Sequence, residues 1–175
     1  MASAQTYTPI ATTTLASNTA SYTFSSIPQT YTDLILEATG ATDYTAGTSW
    51  PFYIQVGNGL VDIGSNYSDT MLYGNGSSAL AHRDSGNTVL YFGEFPANTG
   101  GTNRFELSTI HFMNYSNTST YKTALARLNN TTNFIFATVG LWRSTAAINT
   151  IKIFAASPQN LLAGTTLTLY GIASA

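Results

Sequence analysis

The chain contains no cysteine, so neither a disulfide nor a thiolate metal site can contribute to it. Charge is nearly as scarce. Asp, Glu, Lys and Arg make up 8% of the 175 residues, against about 25% in a typical soluble domain. The six cations, Arg83, Arg104, Lys122, Arg127, Arg143 and Lys152, are scattered singly. Nucleic-acid binding needs several phosphates neutralised from one basic face, so that partner is not expected. Long apolar runs are missing too. The longest lies around Phe134–Trp142, far short of the roughly 20 residues of a membrane helix, and no membrane partner is expected. The opening MASAQTYTPIATTTLAS has no basic segment and no continuous apolar stretch, so no secretory signal is expected and the protein reads as made in the cytoplasm. A net charge of −2 gives little protection against self-association.

What remains is apolar and uncharged polar. The 43% hydrophobic content suits a folded domain, and 175 residues suffice for one core that buries about 70% of the unfolded surface. No long segment has helical spacing. Short β-branched and aromatic runs recur instead: Tyr7–Leu15, Ser21–Phe24, Leu34–Thr39, Phe52–Val56, Thr88–Phe92, Arg104–Met113, Lys122–Leu128, Phe134–Trp142, Ile148–Ala155 and Thr165–Ile172. In the last run Leu167 and Leu169 alternate with Thr166, Thr168 and Tyr170, the period of a strand with one buried side. Turn residues punctuate the series. Pro28 ends the second run, Gly57, Gly59 and Gly64 follow Val56, and Gly100–Gly101 close a loop opened by Pro96. No repeat of 20 to 50 residues is present, which argues against a propeller or β-helix. The expected fold is all-β: one antiparallel β-sandwich domain over residues 1–175, jelly-roll-like, with an extended N-terminal segment over about 1–15. The longest irregular regions are expected at Gly40–Ser49 and Gly57–Asn87.

Reactive constellations are absent at the level of sequence. There is no G-x-S-x-G elbow and no phosphate-cradling glycine loop ahead of a helix. His82 and His111 are far apart, and His111, opposite Ile110 and Phe112 in its strand, reads as solvent-facing or interfacial. His82–Arg83–Asp84 reads as a loop salt bridge or part of a contact surface. Asp62 and Asp69 lack the supporting acids a calcium site would need. A glycosidase pair drawn from distant carboxylates is the remaining catalytic reading, and it is the weakest one. No enzyme activity, metal or cofactor is expected.

Aromatics are the remaining clue, with eleven Tyr, nine Phe and two Trp. Tyr44, Trp50, Phe52, Tyr53, Tyr67 and Tyr73 fall in the loop-rich middle. If exposed beside Asn and Asp, such rings could bind a host glycan, and Tyr44, Trp50, Tyr67 and Tyr73 are the loop candidates. The alternative is that they pack the core or serve a protein interface.

Two segments carry a resemblance. Residues 10–40, IATTTLASNTASYTFSSIPQTYTDLILEATG, are one, and Gly140–Ser144 leading to Leu169–Ile172 are the other. With looser matches at Ile54, Asn66–Ser68 and Tyr121–Thr123, the chain resembles small virion proteins of tailed bacteriophages, especially those infecting marine bacteria and cyanobacteria. The resemblance implies a β-sandwich subunit of the particle, folded in the host and released by lysis. It implies contact with the major capsid protein or other virion proteins, and a homo-oligomer, with a trimer favoured by analogy. The β pattern runs from about Tyr7 to Ile172 without heptads or shaft repeats. That suits a capsid decoration (cement) protein better than the alternative, a tail or fibre domain that binds a host receptor or glycan.

Overall fold

The computed structural model describes residues 6–99, 105–129 and 134–173. Among them are thirteen strands and no helix. In chain order the first seven are β1 (Tyr7–Thr14), β2 (Ser21–Phe24), β3 (Asp33–Gly40), β4 (Ser49–Asn58), β5 (Leu60–Val61), β6 (Tyr67–Gly74) and β7 (Ala79–Asn87). Then come β8 (Leu90–Pro96), β9 (Glu106–Met113), β10 (Lys122–Asn129), β11 (Ile135–Trp142), β12 (Thr150–Ala155) and β13 (Thr166–Ile172).

These form two antiparallel layers. One has eight strands in the order β1-β13-β3-β9-β10-β11-β6-β7. The other has β2-β12-β4-β5, with β8 also pairing on β4. The chain crosses between layers repeatedly, which is jelly-roll-like, while the meander β9–β10–β11 broadens the larger sheet. The fold is thus the expected all-β sandwich, and the expected N-terminal segment forms an edge strand from Tyr7 onward, paired with β13 from Tyr7↔Ile172 to Thr14↔Thr166.

Alternation places the core. Leu34, Leu36 and Ala38 of β3, Leu167 and Leu169 of β13, and Ile110 and Phe112 of β9 are all buried. They face Phe52, Ile54 and Val56 of β4 and Ile151 and Ile153 of β12, in one continuous cluster with both layers. Phe52 and Phe95 stack with centroids 4.2 Å apart. Where β8 packs against β11 the approach is tight. A Cβ on Gly140 would stand 2.9 Å from side-chain carbons of Leu90 and Phe92, so only glycine fits without displacement.

The region 57–87 differs from the expectation of one long irregular stretch. It holds β5 and the hairpin β6–β7, paired from Tyr67↔Asn87 to Gly74↔Ala79. The stretch between β3 and β4 is irregular as expected. The start of the expected strand at Arg104, and Gly100–Gly101, lie outside the described residues.

Candidate functional site

Of the four aromatic candidates only Tyr44 lies in a loop. Trp50 is in β4, and Tyr67 and Tyr73 are in β6. Tyr67 is 0% exposed and cannot meet a ligand. Its hydroxyl donates to the Asp62 carbonyl at 2.8 Å and accepts from the Val56 N–H at 3.1 Å, and burial raises its pKa. Tyr73 is half-buried and stacks on Phe136. Tyr44 and Trp50 do come together, both half-buried, with centroids 4.2 Å apart. The Trp50 indole N–H is already committed to the Ala156 carbonyl at 2.7 Å. Three of the four therefore serve packing, because strands that overlap the opposite sheet turn their rings inward.

The polar clusters are equally structural. The Asp62 carboxylate accepts from the Gly64 N–H at 2.7 Å, and from the Asn66 amide and the Trp142 indole N–H at 2.8 Å each. Arg143 then donates to Ser68, to the Ser65 carbonyl and to the Tyr67 carbonyl, which pins the start of β6. Lys122 is buried, and among the described residues it makes no salt bridge. Its ammonium donates to the carbonyls of Thr120 and Thr145, and burial lowers its pKa.

Asp69 stands apart. It is 2% exposed, and neither carboxylate oxygen makes a well-formed hydrogen bond. Burial pushes its pKa up to about 6, while the nearby Tyr91 N–H partly offsets this; Asp84 adds to the rise, and His82 and Asn87 act against it. Glu94 accepts from the hydroxyls of Ser49 and Tyr91. His82 contacts Asp84 at 3.9 Å on an exposed strand, β7, rather than in the expected loop. His111 lies on the outer side of β9, half-buried, with Nε2 2.9 Å from Asp33. The Asp33 carboxylate also accepts from the Asn114 N–H. That partner comes from 78 positions away, so no local pattern announces it. Among the described residues no three His, Asp or Glu side chains are grouped to hold a metal.

The most distinctive surface is the outer face of the eight-stranded sheet. Leu72 and Ile135 are each 64% exposed there, and Leu107, Leu125 and Val139 are exposed by 45–49%. The ladder aligns them in rows. Ile35, His111, Leu125, Val139 and Thr70 lie side by side across β3, β9, β10, β11 and β6. The next row is Glu37, Thr109, Arg127, Ala137 and Leu72. Leu72, Ile135 and Ala137 also line an apolar groove of about 570 Å³ near the β6–β7 turn. The signal was present in the sequence. In β11 the outward residues Ile135, Ala137, Val139 and Leu141 are apolar, as are the inward Phe136 and Trp142, the pattern of a strand covered on both sides.

No protein-family model matches this chain, and no curated protein sequence matches it. Among solved structures it is similar to scytalidoglutamic peptidase, whose structure contains a peptide-based transition-state analogue. Identity is 12% and the TM-score 0.31, over 90% of this chain and 66% of that one. A likeness at that level carries no argument about chemistry.

Proposed function

We propose that the chain is a non-catalytic structural subunit of a tailed-phage particle: a decoration (cement) protein that binds the assembled head through the major capsid protein and ties neighbouring subunits together. The observation that carries this reading is the row of exposed Leu, Ile and Val across the outer sheet face, on a chain with almost no charge. Contiguous exposed apolar surface is what protein contact uses. The assignment to a virion rests on the resemblance of residues 10–40, 140–144 and 169–172. A second reading, a tail domain that binds a host glycan, draws on the half-exposed Tyr44–Trp50 pair.

Copy number on purified particles tests the choice. Hundreds of copies spread over the shell are expected for decoration. A handful at the tail, together with signal on a glycan array, would replace decoration by adhesion. Absence from particles would remove both.

A further inference from the structure

The outer sheet face has a self-complementary charge pattern. Glu37 of β3 and Arg127 of β10 lie in one row, with Thr109 of β9 between them. Among the described residues neither makes an ion pair, and their ladder neighbours Thr168, Thr109 and Ala137 carry no charge. We propose that this face seats a second copy of the chain, related by a two-fold axis parallel to the strands and passing over Thr109. The inference rests on reading the face as an assembly surface, and it gives that face to the contact between copies, leaving the β1 edge and the loops to meet the shell.

Such an axis lays each Glu37 over the other copy's Arg127. The row above follows the same operation: Ile35 falls opposite Leu125, and Tyr170 of β13, paired with Ile35, falls opposite Val139. Leu107 meets its own copy near the axis. His111 does so too, with its Nε2 already within hydrogen-bond distance of Asp33 in each chain. An isologous contact needs partners that match under one rotation, and the two central rows have them, while at the margin Leu72 of β6 falls opposite Thr12 of β1.

The size is adequate. The overlap runs from β1 to β6, seven strands. At about 4.8 Å between strands and about 3.4 Å per residue, it covers about 700 Å² on each copy. A stable interface needs about 800 Å² per partner, of which this supplies most before any loop contributes. Two sheets packed face to face in this way stand about 10 Å apart with strands nearly aligned.

Analytical ultracentrifugation of the full chain tests it. A dimer is expected. Leu125→Asp, at an exposed position, should weaken it about thirtyfold or more. Glu37→Arg and Arg127→Glu should each weaken it about tenfold, because each sets like charges together, and the double exchange should restore it. A monomer, a trimer, or a dimer indifferent to Leu125→Asp would overturn the two-fold contact. So would a double exchange no better than the single ones. Particle binding is scored separately. A monomeric protein that loses the shell on Leu125→Asp leaves the assembly reading intact and removes this inference. A responsive dimer that never binds particles does the reverse.

Discussion

The indole N–H of Trp142 donates to the Asp62 carboxylate at 2.8 Å, tying the end of β11 to the turn ahead of β6. Burial pushes that carboxyl up, but hydrogen bonds from Trp142, Asn66 and the Gly64 N–H outweigh it, and its pKa lies below the ordinary value. A depressed carboxyl contributes stability above its unfolded pKa of about 3.9 and loses it as pH falls through the folded value. Trp142→Phe should therefore destabilise at pH 7 by about 1–3 kcal/mol. The gap to the parent should narrow in urea titrations below about pH 3.9. An unchanged midpoint at pH 7 would show that the bond contributes nothing.

Asp69 has the opposite sign. Its pKa is raised to about 6, so the native state holds a proton that the unfolded chain releases near 3.9. Stability from this group is fully present below about pH 3.9 and is lost as pH rises through about 6. Asp69→Asn should stabilise the protein at pH 8 by about 1 kcal/mol, and the advantage should shrink by pH 5. Thermal melts at the two pH values decide it. Equal shifts at both would mean that the effect is not ionisation.

Gly171 carries the ring of Tyr31. A Cβ there would lie 2.3 Å from two of its ring carbons. Gly171→Ala should cost about 1–3 kcal/mol by expelling the ring. In a Tyr31→Ala background the same change should cost far less, since the clash has gone. A double-mutant cycle in urea measures the difference.

Attachment to a particle should survive salt. With so few charges, contact should be apolar and backbone-paired, and the protein should stay bound from about 0.1 M to about 1 M salt. Deleting residues 2–14 removes β1, an edge strand joined only to β13, which keeps its pairing with β3. The truncated chain should stay folded by circular dichroism but leave the particle or its oligomer. Release by moderate salt alone, or full attachment after truncation, would refute this mechanism. The mass of the truncated protein separates loss of self-association from loss of the shell.

Strands buried on one side were legible because their alternation is strong; Leu167 and Leu169 mark β13 without help. The hairpin β6–β7 was not. Tyr67–Gly74 mixes Asp69 and Ser68 with turn-like Gly74, and Ala79–Asn87 holds Ala, His, Arg, Asp and Gly, all weak strand formers. Tertiary pairing on β11 overrides that propensity. The aromatic candidates misled for a related reason. Once Tyr67 belongs to a strand facing the other layer, its ring is core, whatever polar residues flank it. His111–Asp33 and the Glu37–Arg127 row arise from strand order alone, which sequence spacing does not contain.

β7 is exposed along nearly its whole length, and its free side presents an open ladder of N–H and C=O groups. A ladder of that kind recruits strands from any neighbour, and at high local concentration it propagates end to end into fibres. The chain is miserly with charge, yet it sets His82, Arg83 and Asp84 consecutively on this strand. They act as gatekeepers, since a joining strand would have to bury them. Replacing all three with Thr should leave the monomer folded and turn concentrated solutions into filaments that bind thioflavin. These three residues of β7 would then have a shared purpose: to let the protein crowd onto a surface without polymerising.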